Sequence, residues 1–281
     1  MAMIRRTLLA LRTSMWLGWQ VESNWTDPFL FAVYSLVRPL AGVLILFFMF
    51  VVLSGGQRGP MLNFFLVGSA LWPYVVNSLQ GIAFTVVEDR EEYRTIRYLY
   101  LVPVPYAVYL IGRAVAKAVI ASIAVIMTFG FAVIVLGLPI DPTVVDAPYL
   151  TVSFLLGFVG MWAMGMVVAA LSLNLTQHAW SLPDAVGGAL YLLCGAIFPI
   201  TQLPTPLRLA GSLLPVTYWL EAMRRALFGL SIGSFPSLSN EAIFLRLVLS
   251  TIGACIMGFG IFAWGERLAK TSGNLDRTSN Y

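Results

Sequence analysis

The densest group of charged side chains lies between Val87 and Tyr98, in the segment VEDREEYRTIRY. It holds seven of the chain's 17 basic and 13 acidic residues: Glu88, Asp89, Arg90, Glu91, Glu92, Arg94 and Arg97. On a helix, Glu88 and Glu92 repel each other, as do Arg90 and Arg94, at a cost of roughly 0.2–0.5 kcal/mol per pair. Charges that do not satisfy one another predict ionic contacts with another protein, and the alternative is a solvated charged loop.

Polar side chains also occur within apolar stretches. Asn77 and Gln80 are three residues apart and share one helix face. They could line a transport path, or they could form hydrogen bonds between membrane helices. Asp184 follows Pro183, which predicts a carboxylate at the positively polarised start of a helix.

Two further groups of charges have helical spacing. Arg113 and Lys117 are four residues apart, which predicts either snorkelling to lipid head groups or pairing with the charged segment. Glu221 precedes Arg224 and Arg225, which predicts an ion pair that lowers the cost of charge at the outer level of a membrane. The candidates for a pathway or an outer gate are Asn77, Gln80, Tyr218, Glu221 and Arg225.

These side chains must be positioned by membrane helices. The chain is 59% hydrophobic and 11% charged, with a mean hydropathy of +0.85, whereas soluble domains are about 25% charged. Apolar runs of the ~20 residues needed to cross a bilayer recur, and the alternation typical of barrel strands is absent. The sequence therefore predicts an all-α integral membrane protein, a single transmembrane domain over residues 1–281. The six predicted spans are 29–53, 61–87, 106–138, 149–173, 180–200 and 242–264.

The segments outside the spans have their own patterns. In residues 1–27, apolar side chains from Ile4 to Met15 share one face, which predicts an amphipathic helix lying in the lipid head-group layer. Residues 88–102 predict a short helix along the membrane surface between spans two and three, ended by Pro103. Most lysines and arginines lie on the same side as both chain ends, which predicts that both termini are cytoplasmic.

Catalytic and metal-binding motifs are missing from the sequence. Cys194 and Cys255 lie in apolar stretches without metal-ligand spacing, and there is one histidine. The phosphate-binding pattern G-x-x-x-x-G-K-[ST] does not occur. We therefore expect no enzyme activity, no bound metal and no cofactor held by this chain. The net charge of +4 reflects the asymmetry across the membrane and does not indicate nucleic-acid binding.

Two motifs resemble those of the ABC-2 type exporter permeases. In EDREEYRTIRYLYLVPVPYAVYLIGR, the matching positions are Glu88, Arg90, Glu91, Thr95, Leu99, Pro103, Gly112 and Arg113. Arg94 stands where the family usually has glycine, which favours an unbroken helix. In CGAIFPITQLPTPLRLAGSLLPVTYWLEAMRRALFG, the matching positions are Gly195, Pro199, Leu203, Pro204, Pro215, Tyr218, Glu221, Arg224, Arg225 and Gly229.

The resemblance implies a re-entrant pair of short helices within residues 201–240. It also implies a coupling helix at 88–102 that contacts a separate ATPase subunit, present in two copies and carrying ATP and Mg. The residues implied to couple are Glu88, Arg90, Glu91, Glu92, Arg94, Thr95, Arg97 and Pro103, with Arg113 and Lys117 in support. A second copy of the chain, or a related permease, would complete the assembly in the plasma (inner) membrane of a prokaryote.

Two other functions compete with an ATP-driven exporter. An ion-coupled secondary transporter would be expected to show paired repeats and a charged residue near the middle of a broken membrane helix. We find no clear internal repeat, and the charges concentrate at the predicted inner face. A membrane enzyme is weakly supported, because the sequence contains neither H-E-x-x-H nor G-x-S-x-G.

Overall fold

The computed structural model describes residues 2–24, 28–53, 55, 59–141, 143–175, 178–229 and 234–276. This part of the chain forms helices and no strand, which confirms the prediction of an all-helical protein. The α-helices are α1 (Ala2–Asn24), α2 (Pro28–Leu53), α3 (Pro60–Val75), α4 (Gly81–Val87), α5 (Ile96–Leu99), α6 (Tyr106–Ile134), α7 (Ala147–Asn174), α8 (Ser181–Leu193), α9 (Thr205–Ser212), α10 (Pro215–Phe228) and α11 (Asn240–Ser272).

Helices α3 and α4 belong to one longer helical rod. A π-helical turn at Val76–Gln80 joins them, and a second one at Glu88–Glu92 extends α4. Short 3-10 turns lie at Ile200–Gln202 and Asn274–Asp276.

Within the described residues, four helical segments are long and apolar enough to cross a membrane. They are Met61–Glu92, Tyr106–Ile134, Ala147–Asn174 and Asn240–Ser272. Helix α2 carries a shorter apolar stretch at Pro39–Leu53, and α8 has 13 residues, fewer than the ~20 that a perpendicular crossing needs. The chain is a multi-pass helical membrane protein, and the six-span count stays a prediction.

The predicted fifth span, 180–200, is longer than the helix that forms. Helix α8 ends at Leu193, and Gly195 adopts a φ of +71°, which glycine tolerates and other residues rarely do. Beyond it, α9 and α10 are 8 and 14 residues long, so neither crosses a bilayer alone. Their re-entrant placement stays a prediction, and residues 230–233 of the 201–240 segment lie outside the described part.

The predicted helix over 88–102 is broken, and the preference for an unbroken helix at Arg94 was wrong. The π-helical turn ends at Glu92, Arg94 adopts the left-handed φ of +52°, and only Ile96–Leu99 returns to helix. The turn forms despite the absence of glycine, because the Thr95 backbone N–H donates to the Asp89 carbonyl at 2.8 Å and closes it. The charged segment therefore consists of a span end, a left-handed turn and a short surface helix.

Helix α1 packs on α6 through small residues. Ser14 and Gly18 are buried against Gly112 and Ala116, whereas the apolar Leu8 is 61% exposed. A methyl group on Gly112 would lie 2.5 Å from the Ser14 Cβ, so the two backbones approach closely because both residues are small. The predicted amphipathic helix over 1–27 thus forms as Ala2–Asn24, with residues 25–27 outside the described part.

Helix α7 lies at the centre, against α11, α10 and α4. Its Gly157 faces the fully buried indole of Trp219 on α10, and no side chain would fit between them. This packing fixes α10 next to the long membrane helices.

Candidate functional site

The charged segment meets three other parts of the chain at one end of the helix bundle, which we call the inner end. These are the beginning of α6, the link between α7 and α8, and the end of α11. Asn274, just after α11, donates to the carbonyl of Asn174 at the end of α7. Trp180, just before α8, donates to Glu91 of the charged segment.

A partly buried ion network, which we call the inner network, connects this segment to α1 and α6. Glu88 lies 3.3 Å from the Arg113 guanidinium and 3.2 Å from the Lys117 ammonium. Glu22 of α1 lies 3.1 Å from the same ammonium and 3.8 Å from the guanidinium. The two basic side chains are 1% and 7% exposed, so they pair within the protein and do not snorkel to lipid.

Asp89 ties the segment more tightly to α6. Its carboxylate accepts hydrogen bonds from the hydroxyls of Tyr106 at 3.2 Å and Tyr109 at 3.1 Å, and it is fully buried. The Tyr109 hydroxyl in turn accepts from Arg113 at 3.0 Å. Two consecutive acidic residues therefore contact four side chains of one helix, α6.

Arg90 and Glu91 face inward as well. The Arg90 guanidinium donates to the carbonyl of Ser172 at 2.9 Å, near the end of α7, and pairs with Glu91 at 2.9 Å. The other oxygen of Glu91 accepts from the Trp180 indole at 2.7 Å. These two predicted coupling residues join the segment to α7 and to the following link, so their ionic partners lie within the chain.

The exposed part of the segment, which we call the surface segment, covers residues 92–103. It presents charged, aromatic and aliphatic side chains together: Glu92, Tyr93, Arg94, Arg97, Tyr98, Leu101, Val102 and Pro103. Leu101 is 80% exposed and Tyr98 is 63% exposed. Partial burial, with the charges of Glu92 and Glu88 nearby, raises the pKa of the Tyr93 hydroxyl.

A second charge cluster lies at the opposite end of the bundle, which we call the outer end. The Arg225 guanidinium pairs with Glu221 at 2.9 Å and donates to the carbonyl of Leu238 at 2.7 Å. Glu221 also accepts from the backbone of Ser234, so the pair fastens the connection to α11 onto α10. Tyr218 belongs to the same end, where its hydroxyl donates to the Ser212 carbonyl at 2.7 Å.

Arg224 contacts a different part of the chain from Arg225, namely the residues after α8 and the ring of Phe64. It donates to the carbonyls of Gly195 and Ala196 at 2.7 and 3.1 Å, and its guanidinium carbon lies 3.5 Å from the centre of the Phe64 ring. A buried cation is thereby held by carbonyl dipoles and an aromatic face.

The two remaining pathway candidates, Asn77 and Gln80, are placed apart from the outer cluster. They line a cavity of about 480 Å³ between α2, α3, α6 and α8, which we call the central cavity. Asp184 lines it too. Tyr218, Glu221 and Arg225 do not, so the structure does not bring the five candidates into one site.

Sequence reasoning missed Glu22, Tyr106, Tyr109 and Trp180 as partners of the charged segment. Glu22 shares a helix face with Ser14 and Gly18 at intervals of four, and this stripe of small residues ending in a carboxylate was a usable signal. The two tyrosines carried no such signal, because aromatic residues are common at the ends of membrane helices.

The chain was compared with known proteins. A family model described as ABC-2 type transporter matches residues 10–228, a range that includes α3 to α10 and the charged segment. No curated protein matches the chain.

Proposed function

The chain belongs to the ABC-2 type transporter family, and on that premise we propose that it is the permease subunit of an exporter driven by a separate ATPase. The family places it among the membrane components of ABC-type transport, which associate with an ATP-binding subunit. Outward transport, two copies of the ATPase, and ATP with Mg held by that partner are our proposals. The plasma membrane of a prokaryote, with both termini in the cytoplasm, is proposed as its location.

One observation carries the coupling proposal: the surface segment is exposed, while the residues directly before it are locked into the bundle. Glu88 and Asp89 hold α6, and Arg90 holds the end of α7. A partner that pushes or pulls residues 92–103 would therefore move several membrane helices together. Since packed interfaces switch between discrete arrangements, such a displacement is converted into a rearrangement of the helices.

The exposed composition suits a protein partner better than lipid. Glu92 repels the anionic inner leaflet, whereas a protein surface can pair with Glu92 and Arg97 at once. Leu101 and Tyr98 provide apolar area beside the charges, a mixture typical of protein interfaces.

We also propose assembly with a second copy of the chain, or with a related permease. Helix α8 is shorter than its predicted span and exposes Asp184, Gly188 and Leu192 at helical spacing. A carboxylate and an open glycine are poorly suited to face lipid alone, and a second subunit would shield them.

The ion-coupled carrier is the alternative. Within the described residues, the buried charges are engaged at the two ends of the bundle, and Asp184 lines a cavity between membrane helices without forming an ion pair. Transport by purified protein in liposomes separates the two functions, because an exporter requires ATP and its ATPase, whereas a carrier responds to a proton or sodium gradient.

The proposal is tested by exchanging charges on the surface segment. The variant Glu92→Lys with Arg97→Glu keeps the net charge and should lose the ATPase subunit during purification, together with ATP-driven transport. The matched control exchanges two exposed charges at the outer end, Asp141→Lys with Arg208→Glu, and should retain both. Full retention of the ATPase and of transport in the first variant would contradict the coupling role.

A further inference from the structure

The wall of the central cavity carries two side-chain amides and one carboxylate, beside the indole of Trp72 and the hydroxyl of Tyr191. The Asn77 amide nitrogen donates to the Pro73 carbonyl at 2.8 Å, and the Gln80 amide nitrogen donates to the Pro183 carbonyl at 2.7 Å. A carbonyl can only accept, so these contacts orient both amides with their oxygens away from them. Neither amide oxygen receives a hydrogen bond from the described residues.

Gln80 is held in this orientation by its surroundings. Gln80 is 5% exposed, and its side chain crosses the backbone of α8 at Gly187, where a Cβ atom would overlap the amide nitrogen. The π-helical turn that carries both amides is a widened turn of a kind frequently found at functional sites. An amide oxygen at the wall of a cavity, without a donor among the described residues, can accept from a ligand that donates or carries positive charge.

Asp184 supplies a charge of the matching sign. It lines the same cavity, and none of the ion pairs among the described residues involves it. Among the described lining residues it is the one with a formal charge. A carboxylate at a cavity between membrane helices, without a basic partner among the described residues, is a functional-site candidate by default, because an unpaired charge is costly in a membrane.

Aromatic rings complete the cavity. Trp72 and Tyr191 both line it, with ring centres 4.5 Å apart. Aromatic faces attract organic cations, and the cavity volume of about 480 Å³ falls within the range of roughly 300–1,000 Å³ typical of sites for drug-sized molecules. Gly42 and Gly188 leave their side of the wall open, since nothing lies within 4 Å of where a Cβ would be.

We propose that the central cavity binds an amphipathic organic cation, with Asp184 pairing its charge, Asn77 and Gln80 accepting hydrogen bonds, and Trp72 and Tyr191 contacting its apolar body. The inference rests on the proposed function, since it names the chemical class of the cargo. It also assigns a binding role to Asp184, which the sequence had indicated as a helix-start carboxylate.

The test is binding of tetraphenylphosphonium to the purified full-length chain in lipid nanodiscs, measured by calorimetry without any ATPase. Tetraphenylborate has nearly the same shape and the opposite charge, and should bind at least about tenfold more weakly, because charge-assisted contacts contribute about that factor or more. Asp184→Asn should weaken tetraphenylphosphonium binding by about tenfold or more and leave tetraphenylborate unchanged or tighter.

Two further variants control for folding and for the site. Asp146→Asn changes another carboxylate at the start of a helix, outside the cavity, and should leave binding unchanged because asparagine still caps α7. Gly188→Leu fills open space in the cavity while keeping Asp184, and should abolish binding.

Equal affinity of the wild type and Asp184→Asn for tetraphenylphosphonium, or equal binding of the two probe ions, would overturn the proposal. Binding without ATP-driven transport would contradict the proposed function and leave the cavity assignment standing. ATP-driven export of another cargo, with no binding of the cation, would contradict the cavity assignment and leave the proposed function standing.

Discussion

Replacing Lys117 by methionine removes the cation at the centre of the inner network while keeping most of the side-chain volume. The ammonium lies 3.1 Å from Glu22 and 3.2 Å from Glu88. At an effective dielectric constant of about 20, each contact is an attraction of about 5 kcal/mol. Desolvating the ammonium offsets several kcal/mol of the total.

The variant leaves Glu22 and Glu88 facing each other with Arg113 as their shared cation. Removing one partner of a fully buried pair costs about 3–5 kcal/mol. Glu22 and Glu88 are 27% and 19% exposed and keep Arg113 as a partner, so we expect Lys117→Met to lose less unfolding free energy than that, but more than the about 1 kcal/mol of an exposed pair. Adding Glu88→Gln removes one of the two competing carboxylates. The double variant should therefore be no less stable than Lys117→Met alone. If the two substitutions acted independently, their costs would add and the double variant would be less stable.

Unfolding in mixed lipid–detergent micelles, followed by far-UV circular dichroism across a titration with sodium dodecyl sulfate, measures these differences. Lys270→Met is the matched control, because Lys270 pairs with Glu266 at 2.8 Å but is 47% exposed. An exposed pair contributes less than about 1 kcal/mol. The electrostatic reasoning would be refuted if Lys117→Met were no more destabilising than this control. It would also be refuted if Glu88→Gln lowered the unfolding free energy of Lys117→Met by as much as it lowers that of the wild type.

Three other outcomes are expected from local geometry. Arg94→Gly should be about 0.5–1 kcal/mol more stable than Arg94→Ala in the same titration, because only glycine adopts the left-handed conformation without cost. Gly112→Val should separate α1 from α6, so that a cysteine placed at the buried Ser14 reacts with a maleimide that it resists in the parent background. Hydrogen bonds from the Thr143 hydroxyl and backbone N–H lower the pKa of Asp141 in the outer loop. The stabilisation of this loop is therefore present above the ordinary aspartate pKa and is lost as the pH falls through the lowered value, and Thr143→Ala should raise that pKa in a carboxyl NMR titration.

Hydropathy predicted the long helices well. The predicted spans 106–138 and 149–173 correspond to Tyr106–Ile134 and Ala147–Asn174, because the length of an apolar run is set by the thickness of the membrane. The end of α6 was placed too late, since the residues after Ile134 are still apolar. The chain leaves the helix there and reaches Gly137, whose φ is +73°.

The charged segment could be located from the sequence but not resolved into its parts. Seven charges in a row do not say which ones face inward, and only the structure separates the buried Asp89 and Arg90 from the exposed Glu92. The break at Arg94 was unpredictable for a related reason, because its left-handed conformation is imposed by the hydrogen bond of its neighbour Thr95 to Asp89. Such contacts depend on tertiary packing rather than on local preference.

The central cavity shows the same limit. Asn77 and Gln80 were predicted to share a face, which a three-residue spacing establishes on any helix. Their convergence with Asp184, more than 100 positions later, required the packing of α8 against the π-helical turn.

The central claim is that the surface segment contacts the ATPase, and a single cysteine tests it most directly. Leu101→Cys is introduced into a chain whose two native cysteines, Cys194 and Cys255, are replaced by serine, and Leu213→Cys at the outer end is the control. In the assembled transporter, we predict that a short bifunctional cross-linker joins Leu101→Cys to the ATPase and does not join Leu213→Cys. Labelling of Leu101→Cys from outside intact cells by a membrane-impermeant maleimide, with no cross-link to the ATPase, would contradict the account.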